Sequence, residues 1–230
     1  MITPQTLFEF SIIALLLALA PGPDIFLVFT MSVAKGFRAA ISLVIGLCSG
    51  VIVHTIVATL GVSVIFKTSE VAFTILKIAG AMYLFYLAYQ AFIHRNDVIE
   101  IDKNNKYINI GNRKLLIRGF FMNVLNPKVA LFFLALFPQF VNEANGKVAL
   151  QMIQLGAIFM ACAFFVFSLV ATTVTVAKYL LSYLAKKIFE NPTQKEKLSK
   201  IVRTVTSLAN ILTSIIFIAI GLKLAFLQWQ

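Results

Sequence analysis

Long apolar runs, separated by short clusters of charge, constrain this chain more than any other feature. Hydrophobic residues make up 60% of its 230 residues and charged residues only 13%, whereas a soluble domain has about a quarter of its residues charged. As a helix, a run of roughly 20 apolar residues can cross the hydrocarbon core of a bilayer. Six charge-poor stretches are candidate spans: 10–34, 39–66, 71–93, 119–142, 148–177 and 204–222, with the last extending to 227 or beyond towards Trp229, a residue type that favours the interface. The sequence therefore predicts an all-α integral membrane protein, with residues 1–230 forming one transmembrane domain.

The distribution of basic residues predicts the direction in which the spans run. The connections after spans one, three and five carry 2, 6 and 7 Lys and Arg, which is 15 of the 20 in the chain. The opposite side carries Lys67, Lys147 and Lys223, and residues 1–9 contain none. By the positive-inside rule, both termini lie outside and the two long loops, 94–118 and 178–203, lie in the cytoplasm of a bacterial inner membrane protein.

The net charge of +11 does not indicate a nucleic-acid partner. The basic residues lie between apolar runs, as membrane topology requires, and form no patch interleaved with aromatic side chains. Cys48 and Cys162 lie inside apolar runs without His or acidic residues at ligand spacing. We expect them to be packing residues that form neither a metal site nor a disulfide.

The stretch "LALAPGPDIF" at residues 17–26 permits two interpretations. It resembles a signal-peptide cleavage site, or it is a transmembrane helix interrupted by Pro21, Gly22 and Pro23. A signal peptide begins with basic residues, but residues 1–9 contain Glu9 and no Lys or Arg, and the apolar run continues beyond the site. We therefore expect an uncleaved, broken span.

Three ionisable residues lie near the middle of the predicted spans. Asp24 and Lys128 each lie 14 residues from the outer end of their span, about 20 Å deep at 1.5 Å per residue. His54 is 15 residues into the second span. Such residues usually face the bundle interior or a water-filled cavity and mark substrate or proton pathways. Hydrogen bonding to a neighbouring helix is the structural alternative for His54, and snorkelling to the membrane surface is the alternative for Lys77, near the start of its span.

A second proline break matches the first. Asn126 and Pro127 precede Lys128, as Pro23 precedes Asp24. Proline removes a backbone donor and leaves carbonyls without helical partners, which is tolerated at that depth only where protein or a cavity covers them. Three spans followed by three spans predict halves of inverted topology, with broken first and fourth helices. In secondary transporters of that kind, the breaks mark the substrate site.

Four segments resemble the LysE/RhtB family of amino-acid exporters: "APGPDIFLV", "GFRAAISLVIGLCSG", "LKIAGAMYLFYLAY" and "NVLNPKVALFFLALFPQF". The resemblance covers about residues 5–140, and the C-terminal third matches mainly by hydropathy. It implies a small exporter of amino acids or related metabolites in the bacterial inner membrane, driven by the proton gradient. We also expect no catalytic residue, metal or other cofactor.

The motif positions that carry the resemblance are those of the two breaks and of the small-residue patterns in spans two and three. They are Pro21, Gly22, Pro23, Asp24, Asn126, Pro127, Lys128, Gly46, Gly50, Lys77, Gly80 and Tyr83. Gly46, Ser49 and Gly50 are small enough to permit close helix packing.

Our hypothesis for the mechanism is alternating access around a cavity lined by spans one and four. Lys128 would bind the carboxylate of the amino acid, and Asp24 would bind its ammonium or exchange it for a proton. In the empty cavity we expect Asp24 and Lys128 to pair with each other. A homodimer would suit so small a bundle, although no residue pattern indicates one.

Two other classes of protein stay open at this point. A divalent-metal exporter would need several carboxylate, thiolate or imidazole ligands, for which Asp24, His54 and two separated cysteines are a thin set. A membrane enzyme would need paired acids, a histidine cluster or an activated nucleophile, and the sequence presents none of these patterns. A non-catalytic membrane adaptor would not need three charged residues at the midplane.

Overall fold

The structure is a computed structural model. It describes residues 2–20, 22–68, 70–93, 110–188, 204, 207, 208, 210–212, 214–222 and 225. Over these ranges the ordered elements are all helical. The predicted all-α class is therefore confirmed for the part of the chain that the structure describes.

Seven α-helices and three shorter helical turns are described as far as residue 188. The α-helices are α1 (Pro4–Leu19), α2 (Pro23–Lys35), α3 (Phe37–Thr68), α4 (Glu70–Ile93), α5 (Asn112–Val124), α6 (Pro127–Leu131) and α7 (Val148–Ile188). A π-helical turn (Phe132–Leu136) and 3₁₀ turns (Phe137–Phe140 and Glu143–Asn145) connect α6 to α7. The described residues from 204 to 225 are also helical.

By length and composition, two of the described helical stretches could each cross a membrane unaided: Phe37–Gly61 and Val148–Leu180. Two bent pairs meet the same criterion when each pair counts as one span. α1 and α2 meet at 59°, and Asn112–Val124 meets Pro127–Leu134 at 46°. Ile78–Ile93 and Asn210–Leu222 are shorter apolar helices. The described residues thus contain up to four spans, and the six-span arrangement stays a prediction.

Both predicted cytoplasmic connections contain helix at one end. α5 begins at Asn112, within the connection 94–118. α7 continues to Ile188, within the connection 178–203. Charged residues end a run that can lie in lipid, yet they do not end a helix, because Lys and Arg are good helix formers. The rest of these loops, residues 94–109 and 189–203, lies outside the described residues.

The helices enclose one apolar core, in which α3 is the central element. α3 packs against α5 along most of that helix and also contacts α2 and α7, while α1 and α2 both contact α7. The core includes a cluster of phenylalanines from α1, the turns after α6, and α7: Phe10, Phe132, Phe133, Phe137 and Phe159. This packing brings the two helix breaks, α1–α2 and α5–α6, to the same region of the molecule.

Candidate functional site

The first break leaves the end of α1 without its usual hydrogen bonds. α1 ends at Leu19, and the backbone of Ala20 has a non-helical ψ of 125°. The carbonyl of Leu17 would accept from the residue four positions later, which is Pro21 and has no N–H group. Pro21 itself lies outside the described residues. Polar groups from elsewhere must therefore satisfy the carbonyls at this end of α1.

The ammonium group of Lys128 satisfies two of them. Its Nζ atom lies 3.2 Å from the carbonyl oxygen of Leu17 and 3.1 Å from that of Ala20. Lys128 is buried, so both hydrogen bonds are shielded from solvent. A cation is favoured at a helix C-terminus because the helix dipole is negative there. Lys128, from the second half of the chain, thus caps the broken helix of the first half.

At the second break, a side chain from the first half of the chain bonds to a carbonyl of the second half. α5 ends at Val124 and α6 begins with Pro127, which deprives the carbonyl of Asn123 of its helical donor. That oxygen accepts from the backbone N–H of Asn126 at 2.9 Å and lies 2.9 Å from Nε2 of His54, in α3. Because a carbonyl can only accept, Nε2 carries the proton. His54 is buried and its ring stacks on Phe133.

Asn126 joins the two breaks directly. Its Nδ2 atom donates to Oδ2 of Asp24 at 2.8 Å, and its Oδ1 accepts from the backbone N–H of Lys128 at 3.0 Å. The second bond caps the N-terminus of α6. Asp24 lies in the first turn of α2, where the helix dipole favours an anion. One amide side chain therefore fixes the start of α6 relative to the start of α2.

The direct pairing of Asp24 with Lys128 was predicted incorrectly. Lys128 donates to the carbonyls of α1, Oδ2 of Asp24 accepts from Asn126, and Oδ1 of Asp24 has no hydrogen-bond partner. The reason is the break itself, since the carbonyls left by Pro21 compete with the carboxylate for the ammonium. Oδ1 of Asp24 thus remains available to accept a hydrogen bond, although the residue as a whole is only 2% exposed.

A small cavity lies between the two breaks and α7. Asp24, Asn123 and Lys128 are its polar lining residues. The others are apolar, from α1, α3, α6 and α7: Leu17, Ala18, Leu47, Val51, Val129, Phe159, Ala163 and Phe167. The space open to the centre of a water molecule is about 10 Å³, roughly what a single water needs. A larger molecule would fit there only if the lining residues moved apart.

The other predicted site residues lie at different distances from the cavity. Gly22 is next to it, because a Cβ added there would lie 3.2 Å from Nζ of Lys128. Tyr83, in α4, is half-buried with its ring centroid 6.0 Å from that of Tyr86, and it does not line the cavity. Lys77 also belongs to α4, but its side chain lies outside the described part of the structure. Gly80 is buried in the same helix.

Two glycines of α3 lie where α5 packs most closely. A Cβ added at Gly46 would overlap the carbonyl group of Leu116, and one added at Gly50 would lie 2.8 Å from both Cβ and Oδ1 of Asn123. Gly119 of α5 packs equally closely on the carbonyl of Leu43. Gly119 was not among the predicted packing residues, although it is a glycine one residue from the middle of α5 and therefore a signal of the same kind.

Asn123 is a functional candidate that was not among the residues predicted from the sequence. It is 3% exposed, lines the cavity and carries a buried Oδ1 atom without a hydrogen-bond partner. The signal was present, since Asn123 is an amide side chain inside a predicted span, three residues before Asn126.

Among the described residues, no three His, Cys, Asp or Glu side chains are grouped as a metal site would require.

Comparison with known proteins shows which family the sequence matches. The family model of the LysE type translocators matches residues 15–193. The membrane protein YrhP of Bacillus subtilis (strain 168) is 29% identical over 227 residues, which is 95% of this chain and 98% of that protein. No solved structure is significantly similar to the chain.

Two relatives carry names that state a transported compound. The homoserine/homoserine lactone efflux protein of Salmonella typhimurium is 33% identical over 146 residues, or 64% of this chain and 69% of that protein. The threonine efflux protein of Salmonella typhi is 27% identical over 143 residues, or 62% of this chain and 69% of that protein. Since the family model covers most of the sequence, this multi-pass membrane protein is a translocator rather than an enzyme, and it belongs to the LysE type translocator family.

Proposed function

We propose that the protein is a secondary active exporter of amino acids or related small metabolites across the bacterial inner membrane. One observation carries the proposal: a buried anion, Asp24, and a buried cation, Lys128, each follow the proline that opens a helix break, and both line one cavity. Charges in lipid are costly and are retained where they serve transport. The names of the homoserine and threonine efflux relatives support the same substrate class.

The two charges suit the two ends of a zwitterion. The ammonium of Lys128 has three N–H donors, and two of them are used by the carbonyls of Leu17 and Ala20. The third is available for the substrate carboxylate. Oδ1 of Asp24 has no partner, so it is available for the substrate ammonium. Each charged residue thus keeps one position free while the rest of its bonds hold it in place.

The same arrangement supports alternating access. We propose six spans in two inverted halves of three, with both termini outside, the two long loops in the cytoplasm, and the breaks near the bilayer midplane. Lys128 binds the end of α1, and His54 binds the end of α5, so each half satisfies the break of the other. Substrate that competes for Lys128 would loosen the contact between the halves and allow them to rock around the cavity.

Protons are the proposed coupling ion, and Asp24 is the proposed carrier. When the substrate ammonium leaves, its place beside Oδ1 of Asp24 can be taken by a proton, which avoids an isolated buried anion. Export of an amino acid would then alternate with inward movement of a proton. We include a homodimer in the proposal only because so small a bundle permits one.

Transport by purified protein in proteoliposomes tests the substrate class. We expect counterflow of L-homoserine or L-threonine and no counterflow of divalent metal ions. Counterflow of a divalent metal ion would instead indicate a metal exporter. Asp24→Ala and Lys128→Ala should abolish counterflow while the folded protein stays in the membrane. Lys147→Ala, at an exposed position, is the matched control and should transport normally. Normal counterflow by both site variants would refute the proposal.

An imposed pH gradient tests the coupling separately. With the interior of the vesicle at the higher pH, proton exchange predicts accelerated transport of substrate into the more acidic compartment, and the acceleration should disappear with an uncoupler. Counterflow that is intact but insensitive to the gradient would remove the proton from the proposal and leave the exporter in place.

A further inference from the structure

Two buried acceptor atoms without partners belong to residues that line the same cavity. Oδ1 of Asp24 comes from the start of α2, and Oδ1 of Asn123 comes from the end of α5. The two residues are 2% and 3% exposed. Buried side-chain acceptors almost always have a hydrogen-bond partner, so two such atoms in one site require an explanation. A ligand that donates hydrogen bonds would satisfy both.

The charges of the site indicate which donor fits. One acceptor is a carboxylate and the other a neutral amide, so a group with one positive charge and several N–H donors is complementary to the pair. A primary ammonium has three donors and one charge. A hydroxyl group has a single donor and could satisfy only one of the two oxygens. The pair therefore discriminates between an amino group and a hydroxyl group at the same position of a substrate.

We infer that Asn123 is a specificity-determining residue, whose Oδ1 shares the substrate ammonium with Oδ1 of Asp24. The inference rests on the proposed function, since it concerns the same cavity. Asn123 adds a neutral acceptor to the proposed charged pair of Asp24 and Lys128. We assign to this acceptor the recognition of an amino group, as distinct from the recognition of charge alone.

The structure also shows what holds Asn123 in position. Its backbone carbonyl lies 2.9 Å from Nε2 of His54. Its side chain lies against Gly50, where any Cβ would come within 2.8 Å of it. Both contacts come from α3. His54 and Gly50 are thus positioning residues that place the amide, and they do so without lining the cavity themselves.

The test compares two substitutions at one position. Asn123→Ala removes the acceptor, whereas Asn123→Asp keeps an oxygen in the same place. Counterflow in proteoliposomes would be measured with L-homoserine, and 2,4-dihydroxybutanoate, in which a hydroxyl replaces the amino group, would be the competitor. Asn142→Ala, which alters an exposed asparagine, is the control. Thermal unfolding of each purified variant would verify that it is folded.

We expect Asn123→Ala to raise the KM for L-homoserine at least 10-fold, since hydrogen bonds to charged groups are among the stronger ones. Inhibition by 2,4-dihydroxybutanoate should change less than 3-fold, and Asn123→Asp should restore most of the affinity for L-homoserine. Equal losses for both compounds, or equal losses in both variants, would assign Asn123 a structural role and overturn the inference. Wild-type protein that transports neither L-homoserine nor L-threonine would overturn the proposed function, and this inference with it.

Discussion

The Nε2 atom of His54 lies 2.9 Å from the carbonyl oxygen of Asn123. This is the oxygen that Pro127, four residues later, cannot bond to. The contact mirrors the one that Lys128 makes with Leu17, whose helical partner would be Pro21. Each proline break is therefore completed by a side chain from the other half of the chain. Each break thus takes a hydrogen bond from the other half, and the second break has in addition the backbone bond from Asn126 to Asn123.

Replacement of His54 should destabilise the protein. His54→Ala removes one of the two donors to the carbonyl of Asn123 and the ring that stacks on Phe133. The backbone N–H of Asn126 still bonds to that carbonyl, so the lost hydrogen bond costs about 0.5–1.5 kcal/mol. We expect a lower unfolding temperature in detergent. Val57→Ala, at an exposed position one turn later in α3, is the control. An unfolding temperature for His54→Ala equal to that of the control would show that the bond contributes nothing to stability.

Two glycines of the same helix should respond oppositely to one methyl group. A Cβ at Gly46 would overlap the carbonyl of Leu116, whereas a Cβ at Gly61 would meet nothing within 4 Å. Gly46→Ala should therefore force α3 and α5 apart and cost about 1–3 kcal/mol. Gly61→Ala should be neutral or slightly stabilising, because alanine is the better helix former. Thermal unfolding of the two variants measures the difference, and similar results would contradict the close packing.

Asn126 should show separable effects on stability and transport. Asn126→Ala loses the cap of α6 and the bond to Asp24, so both properties should fall, with a loss of about 1 kcal/mol from the cap. Asn126→Ser can still cap the helix but has no amide to reach Asp24. We expect its stability to recover while transport stays at least 10-fold below wild type. Recovery of transport along with stability would mean that the bond to Asp24 is dispensable.

The contact between Gly156 and Thr55 should behave as a coupled pair. A Cβ at Gly156, in α7, would collide with the side chain of Thr55, in α3. Gly156→Ala alone should be destabilising, and Thr55→Ala should relieve much of the loss because it removes the two nearest atoms. The coupling free energy from a double-mutant cycle should be about 0.5–3 kcal/mol. Strict additivity of the two substitutions would show that α3 and α7 do not approach as described.

The sequence alone determined the class of the molecule and the location of its breaks. Apolar runs of membrane length predict spanning helices, because a helix in lipid must form its backbone hydrogen bonds internally and present apolar side chains. Proline interrupts a helix wherever it stands, so "APGPD" and "NPK" predict breaks without any knowledge of packing. Asp24 and Lys128 were selected for the same reason, since charge within a span needs a partner or a cavity.

Only the tertiary structure decided how those residues are paired. Depth along a span does not show which face of a helix meets which neighbour, so equal depth suggested an ion pair between Asp24 and Lys128. Packing instead presents Lys128 to the carbonyls of α1 and leaves Asp24 to Asn126. Asn123 lines the cavity for the same reason, because packing of α3, α5 and the two breaks encloses its amide.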